Sequence, residues 1–111
     1  KNFDFNTSFY QSNNNLTKHK MTSNEFFKKN YKYFDLIFVD GDHSSNQVKI
    51  DLINSWNILK KGGFLILDDY MWWFYKDLKK NPSTPINNFI KENIKNISKL
   101  NIWHQVIIKK V

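Results

Sequence analysis

Four aspartates stand directly after two apolar runs of this sequence, and they are its residues best suited to chemistry. Asp40 and Asp42 follow the first run, and Asp68 and Asp69 follow the second. Two like charges about 4 Å apart repel by about 4 kcal/mol at an effective dielectric constant near 20. A cluster of carboxylates therefore takes up either protons or a cation, and oxygen ligands favour Mg²⁺, Mn²⁺ or Ca²⁺.

The two apolar runs predict strands of one parallel sheet. Phe34–Val39 is short, apolar and bounded by polar residues, as strands buried on both faces are, and Gly63–Leu67 is a second apolar strand. Parallel strands joined by a helix open at the same edge of the sheet, where α/β proteins bind ligands. The aspartates are therefore expected to converge at that edge.

A helix is predicted between the two strands. Ser44 and Gln47 have the spacing of a capping box, and the segment Lys60-Lys61-Gly62 indicates a basic last turn and a glycine stop. The apolar face consists of Val48, Leu52, Trp56 and Leu59. The whole unit of about thirty residues has the size of a right-handed βαβ crossover.

Weaker patterns precede this unit. Ser12–Asn15 is a polar, asparagine-rich stretch that indicates a loop, and Leu16–Lys20 is a possible short strand. Thr22 and Glu25 have capping-box spacing, which predicts a short helix ending near Asn30.

A helix and a terminal strand are predicted after the unit. Pro85 is expected at the first position of this helix, and Ser83 or Thr84 precedes it. One helical face is marked by Ile86, Phe89, Ile90, Ile94 and Ile97. Gln105–Lys110 indicates a strand, and Lys99–Ile102 is a possible short strand before it.

Composition excludes several classes of protein. The 111 residues allow one domain, and the absence of cysteine excludes disulfide scaffolds, thiolate zinc sites and cysteine nucleophiles. The net charge is +7, yet residues 34–73 hold three lysines and six aspartates, a net charge of −3. Because all 17 basic residues are scattered lysines, nucleic-acid binding is disfavoured. Without an apolar run of about 20 residues or a signal peptide, a soluble, cytoplasmic protein with no membrane partner is expected.

Each candidate residue also has a purely structural interpretation. Asp40 and Asp42 could cap the helix and shape its turn, while Asp68 and Asp69 could lie in a solvated loop. His43 could be structural, or it could orient or remove a proton. His19 and His104 lack acidic neighbours and receive no role. Trp72 and Trp73 are expected to serve packing more than recognition.

Together these residues resemble a known family. Phe34–Ser44, the helix end Leu59–Gly63 and the strand end Leu67–Tyr70 resemble the C-terminal half of class I S-adenosylmethionine-dependent methyltransferases. The likeness is greatest to the metal-dependent small-molecule and sugar O-methyltransferases, in which Asp-Gly-Asp-His ends the fourth strand and two acidic residues end the fifth.

The resemblance implies a fold and a domain organisation. The fold is an α/β, Rossmann-like three-layer sandwich, whose mostly parallel sheet has an antiparallel C-terminal strand and whose N-terminal half is missing. The chain is then a single partial domain, with a loop, possible edge strand and short helix in residues 1–33. Residues 34–73 form the strand-helix-strand core with its acidic site, and residues 74–111 form a loop, a helix and the terminal strand.

The resemblance also implies a site. Asp40, Asp68 and Asp69 would hold Mg²⁺ or Mn²⁺, and Asp42 or His43 would be the general base. S-adenosylmethionine would donate a methyl group to a hydroxyl of a small molecule or sugar. The sequence departs from the family because Gly41, Gly62 and Gly63 are its only glycines, so the glycine-rich cofactor turn is absent. The fragment is therefore expected to be inactive alone.

Three other interpretations stay open. An Asp-x-Asp motif after an apolar strand also occurs in metal-dependent glycosyltransferases and in phosphatases of the haloacid dehalogenase type. The non-enzymatic alternative is a truncated remnant or a binding module. The sequence does not determine the oligomeric state.

Overall fold

The computed structural model describes residues 2–111, which form two units separated in sequence after Asn30. The first unit begins with helix α1, Asn2–Ser12, which was not predicted. A Schellman motif closes this helix, since Asn14 and Asn15 donate to carbonyls of its last turn at 3.2 and 2.9 Å. Asn14 takes the left-handed φ of 58° that this motif requires, so the asparagine-rich stretch ends a helix.

The segment after α1 does not form the predicted strand. Leu16–Lys20 has no regular secondary structure, and within residues 2–111 no strand pairs with it. A strand needs a neighbour for its backbone hydrogen bonds, and this segment lacks one. Instead Lys18 Nζ donates to both carboxylate oxygens of Asp4 at 2.8 Å, and these bonds lower the pKa of Asp4.

Helix α2, Ser23–Lys29, confirms the predicted capping box. The Thr22 hydroxyl accepts from the Glu25 N–H at 3.2 Å, and the Glu25 carboxylate accepts from the Thr22 N–H at 2.8 Å. These hydrogen bonds lower the pKa of Glu25. The helix ends at Asn30, as expected.

The second unit contains four strands, two α-helices and two short 3-10 helices, Leu78–Lys80 and Ile94–Asn96. Their bounds are β1 Phe34–Val39, α3 Ser45–Ile58, β2 Leu59–Leu67, α4 Ser83–Asn93, β3 Ile97–Ile102 and β4 Val106–Lys110. The predicted strand-helix-strand unit and both C-terminal strands are confirmed. The longest described helix, α3, has 14 residues, so no helix of residues 2–111 is long enough to cross a membrane.

The strands form one mixed sheet in the order β1-β2-β4-β3. β1 and β2 are parallel, with Val39 opposite Leu67, and β4 is antiparallel to both β2 and β3. This is a Rossmann-like α/β arrangement. The Asp68 N–H donates to the Val39 carbonyl at 3.0 Å, which holds the carboxyl ends of β1 and β2 side by side.

The core of this unit lies between α3, α4 and one face of the sheet. The sheet contributes Leu65, Leu67, Val106 and Ile108, and the helices contribute Val48, Leu52, Trp56, Ile86, Phe89 and Ile90. On the opposite face Leu36 is 55% exposed and Phe38 is 47% exposed. The prediction that β1 is buried on both faces is therefore wrong for the described residues, because both helices cover the same face.

Two helix boundaries differ from prediction. Pro82 is the N-cap of α4, so Pro85 is its third residue and not its first. Ile94 follows the helix and is 54% exposed, whereas Ile97 begins β3. The spacing of apolar residues alone does not show that the α-helix ends at Asn93.

The junction between α3 and β2 also differs from prediction. Lys60-Lys61-Gly62 was predicted to end the helix, but α3 ends at Ile58 and β2 begins at Leu59. The turn lies in an irregularity of the β1–β2 pairing, where Gly62 has a φ of 79°. A lysine of the distant strand β4 bonds to this junction, since Lys110 Nζ donates to Trp56 O of α3 at 2.7 Å and to Leu59 O of β2 at 2.9 Å.

Candidate functional site

Three of the candidate residues converge at the carboxyl end of β1 and β2. Asp40, His43 and Asp69 each have one atom that could bind a metal ion, and these three atoms all lie within 4.8 Å of one another. The imidazole Nε2 of His43 is 2.5 Å from Oδ2 of Asp69. Asp69 has a left-handed φ of 53°, a sparsely populated conformation that clusters at functional sites. The convergence expected from the strand ends is therefore present for these residues.

A small cavity lies among these side chains. Its volume is about 20 Å³, enough for one water-sized group. Polar lining comes from Asp40, Asp42, His43, Asp68 and Asp69, and apolar lining from Val39, Val48, Leu67, Pro82 and Ile86. Apolar walls lower the local dielectric constant and strengthen the interaction of carboxylates with a cation. The cavity therefore suits a single ion and is too small for an organic substrate.

Asp68 and Asp42 have different surroundings from the three converging residues. Asp68 lines the cavity but does not belong to the group within 4.8 Å. The Asp42 carboxylate accepts the Ser44 N–H at 2.6 Å. Hydrogen bonds from the side chain and backbone of Ser44 lower the pKa of Asp42. Asp42 therefore forms a hydrogen bond with the N-cap residue of α3, and its carboxylate is a poor proton acceptor.

The predicted capping box at the start of α3 does not form. Ser44 is the N-cap, but its side chain makes no cap hydrogen bond. The Gln47 amide donates to the carboxylate of Asp51 at 2.9 Å. Asp42, two residues before Ser44, supplies the bond to the helix start instead.

An aromatic side chain covers the imidazole. The rings of Trp72 and His43 are stacked, with centroids 5.0 Å apart and planes 7° apart. The backbone N–H of Trp72 donates to the Asp69 carbonyl at 2.9 Å, so a tight turn over residues 69–72 positions the Trp72 side chain. Trp72 thus packs as expected, but against the site and not in the core, while Trp73 is 72% exposed.

A buried asparagine that the sequence did not indicate anchors the following segment. Asn81 is 2% exposed, and its side-chain amide bonds to both the N–H and the carbonyl of Tyr75, at 3.2 and 3.3 Å. Tyr75 in turn lies against Trp72, with ring centroids 4.9 Å apart. No sequence spacing connects Asn81 to the acidic site, so only the folded chain reveals this support.

The fold and the acidic strand ends define an α/β protein with a candidate ligand site at the carboxyl edge of its sheet. A family model described as "Methyltransferase domain" matches residues 2–70. The chain belongs to this methyltransferase family. No curated protein gives a significant sequence match.

Three solved structures with a similar fold are described as O-methyltransferases or as a methyltransferase. A structure of a caffeoyl-CoA O-methyltransferase described as putative, from Staphylococcus aureus, has a TM-score of 0.67 at 19% identity over 95% of this chain. MycE from the mycinamycin biosynthetic pathway, in complex with Mg, SAH and mycinamycin VI, has a TM-score of 0.65 at 16% identity over 85%. An O-methyltransferase from Bacillus cereus in complex with SAH has a TM-score of 0.57 at 14% identity over 96%.

This chain spans only part of those proteins. It covers 56% of the Staphylococcus aureus structure, 31% of MycE and 57% of the Bacillus cereus structure. At these identities the likeness shows the shared fold.

Proposed function

We propose that the complete protein transfers the methyl group of S-adenosylmethionine to a hydroxyl group of a small molecule or sugar, with a divalent cation. The observation that carries this proposal is the small acidic cavity at two adjacent parallel strand ends, which Asp40, Asp68 and Asp69 line together with His43. Family membership supports methyl transfer, and the similar structures solved with Mg and SAH support the two cofactors.

The acidic cavity fits a cation such as Mg²⁺ or Mn²⁺. Asp40, Asp68 and Asp69 line it with carboxylates, which are ligands of hard cations, and its volume admits one ion. These three aspartates are the proposed ligands. A bound cation would favour loss of a proton from the acceptor hydroxyl group.

The chain by itself does not fit the methyl donor. Its three glycines are Gly41, which stands alone after β1, and Gly62 and Gly63, which lie within β2. None forms a glycine-rich turn between a strand and a helix, which the resemblance requires for S-adenosylmethionine. Tests of methyl transfer therefore need the complete protein.

His43 is the proposed general base. Of the two candidates, Asp42 bonds to Ser44 and has a lowered pKa, which makes it a weak proton acceptor. The His43 ring is fixed by Asp69 at Nε2 and by Trp72 on its face. With Nε2 engaged, Nδ1 is the nitrogen that would take the proton from the acceptor hydroxyl group.

Binding of Mn²⁺ and turnover of S-adenosylmethionine, measured on the same variants of the complete protein, test this assignment. We expect Asp40→Asn, Asp68→Asn and Asp69→Asn each to weaken Mn²⁺ binding by about tenfold or more and to abolish cation-dependent methyl transfer, with the fold intact. We expect His43→Ala to lower turnover by about 10²-fold to 10⁴-fold, as for loss of a general base, and to weaken Mn²⁺ binding less than the loss of an aspartate ligand does.

Asp35→Asn is the matched control. Asp35 is an exposed aspartate at the other end of β1, paired with Lys60 at 3.0 Å, so its loss should leave Mn²⁺ binding unchanged. If His43→Ala weakens Mn²⁺ binding as much as Asp40→Asn, the imidazole is a ligand and the base assignment is wrong. If the wild-type protein binds no Mn²⁺, the non-catalytic interpretation is favoured.

A further inference from the structure

An exposed segment with both aromatic and basic side chains follows the acidic end of β2. Residues 71–80 have the sequence Met-Trp-Trp-Phe-Tyr-Lys-Asp-Leu-Lys-Lys, and all but one of them are exposed. Four of their large apolar side chains are each more than half exposed, namely Met71, Trp73, Phe74 and Leu78. Exposed apolar side chains that lie together in this way mark an interaction surface.

The aromatic rings of this segment form one cluster. The rings of Trp73 and Phe74 are stacked, with centroids 5.5 Å apart and planes 5° apart. The ring of Trp72 lies 5.0 Å from that of Phe74 and 4.9 Å from that of Tyr75. Trp72 is the ring that covers His43, so the cluster extends from the candidate site to the solvent-exposed pair of Trp73 and Phe74.

Hydrogen bonds fix the backbone that carries these side chains. The buried Asn81 amide accepts from the Tyr75 N–H at 3.2 Å and donates to the Tyr75 carbonyl at 3.3 Å. The Asp77 carboxylate accepts the Lys79 N–H at 3.1 Å and caps the 3-10 helix Leu78–Lys80. The segment therefore holds its apolar side chains in solvent on a backbone that is bonded in place.

The charges of the segment favour one class of partner. Lys76, Lys79 and Lys80 are exposed, and the only acidic side chain, Asp77, already accepts a backbone hydrogen bond. Lysine is depleted in protein–protein interfaces, whereas aromatic and lysine side chains occur together on surfaces that lie on membranes. There the rings enter the boundary between headgroups and acyl chains, and the ammonium groups lie among anionic headgroups. The segment therefore fits an anionic lipid surface better than a protein.

We propose that residues 71–80 dock on the surface of an anionic phospholipid bilayer. Trp73 and Phe74 would enter the headgroup boundary, and the three lysines would contact lipid phosphates. The sequence-based expectation of no membrane partner rested on the lack of an apolar run long enough to span a bilayer, and surface binding needs no such run. The inference goes beyond the proposed function and depends on neither the cation nor the methyl donor.

Sedimentation of the complete protein with lipid vesicles tests this proposal. We expect binding to vesicles of phosphatidylcholine mixed with phosphatidylserine, and much weaker binding to phosphatidylcholine alone. Trp73→Ala should weaken binding to the mixed vesicles by about tenfold or more, because a large apolar side chain no longer leaves water. The double variant Lys79→Gln/Lys80→Gln should weaken it by about fivefold or more and reduce its sensitivity to salt.

Two variants outside the segment are matched controls. Trp103→Ala removes an indole that is 73% exposed, against 72% for Trp73, and Lys28→Gln/Lys29→Gln removes two neighbouring exposed lysines at the end of α2. Both should bind the mixed vesicles nearly as well as the wild-type protein. The inference is wrong if neither kind of vesicle binds, which would favour a protein partner, or if both kinds bind equally. It is also wrong if each control has the same effect as its counterpart in the segment.

Discussion

The two ends of the β1–β2 strand pair are built differently. At the carboxyl end, Asp40 and Asp69 meet an imidazole around a cavity that admits one ion. At the amino end, Gly63 packs against backbone atoms, and a lysine from β4 bonds to one carbonyl at the end of α3 and one at the start of β2. Like charges at the first end cost stability, whereas packing and hydrogen bonds at the second end supply it. Changes at the amino end should therefore affect folding, and changes at the carboxyl end should affect chemistry.

The largest effect on stability is expected from Gly63→Ala. A Cβ at this position would lie 2.8 Å from the Asp35 carbonyl oxygen and 2.9 Å from both a side-chain atom of Leu59 and the Lys60 carbonyl oxygen. Because two of these atoms belong to the backbone, they cannot move aside easily. We expect the free energy of unfolding to fall by about 3 kcal/mol, measured by urea denaturation of the complete protein.

Gly62→Ala separates close packing from backbone conformation at the same turn. Nothing lies within 4 Å of a Cβ at Gly62, but the φ of 79° is unfavourable for alanine. We expect a loss of about 1 kcal/mol. Equal losses for the two variants would show that the turn is not closely packed, and the contrast between the two ends would weaken.

A smaller effect is expected from Lys110→Met. This change removes the hydrogen bonds from Lys110 Nζ to Trp56 O and Leu59 O. It also removes the cation–π contact of Lys110 with the Trp56 ring, whose centre lies 5.0 Å from Nζ. Burial and the nearby charge of Lys61 both lower the pKa of Lys110, because each disfavours the charged ammonium group. Methionine carries no charge, so it avoids this unfavourable burial of charge and offsets part of the loss. We expect a net loss of about 1 kcal/mol in the free energy of unfolding, by thermal denaturation.

Lys109→Met provides the comparison for that variant. Lys109 is the neighbouring residue of β4, and its ammonium group lies 5.4 Å from the centre of the Phe64 ring. Its replacement should change stability by less than about 0.5 kcal/mol. A loss equal to that of Lys110→Met would mean that capping of α3 contributes little.

The smallest effect is expected at the carboxyl end, from Asp42→Asn. Asparagine can still accept the Ser44 N–H, so stability at pH 7 should hardly change. Because the pKa of Asp42 is lowered in the folded protein, its contribution is present above the unfolded pKa of about 3.9. That contribution is lost as the pH falls through the folded value, and Asp42→Asn should flatten this acid part of the stability profile.

Ser44→Ala checks the cause of that pH dependence. It removes the side-chain hydrogen bond to Asp42, the largest cause of the lowered pKa, and keeps the backbone bond. NMR titration should show the Asp42 pKa rising part of the way to its ordinary value. An unchanged pKa would mean that the backbone N–H alone is responsible.

Local sequence determined much of the second unit. The strand Phe34–Val39, the terminal strand and the apolar positions Val48, Leu52 and Trp56 of α3 are short-range patterns that the structure confirms, whereas Leu59, predicted on the same helical face, lies in β2. The capping box of Thr22 and Glu25 is equally local and is also confirmed. These features depend on residues a few positions apart, so the sequence alone specifies them.

Other features depended on partners distant in sequence. Leu16–Lys20 has strand-like composition but no strand to pair with among the described residues. The end of α3 was predicted two or more residues late, because the pairing of Leu59 with Phe34 begins β2 there. A strand boundary is set by its neighbour's backbone, which local spacing does not contain.

For the site, the sequence determined the residue types and the tertiary structure decided their grouping. Four aspartates at two strand ends predicted an acidic edge, but residue spacing could not rank them. The fold brings Asp40 and Asp69 to His43, engages Asp42 with the start of α3, and leaves Asp68 in the cavity wall outside that group. Side-chain direction depends on the turns after each strand, including the left-handed φ of Asp69, and those turns are fixed only when the strands have paired.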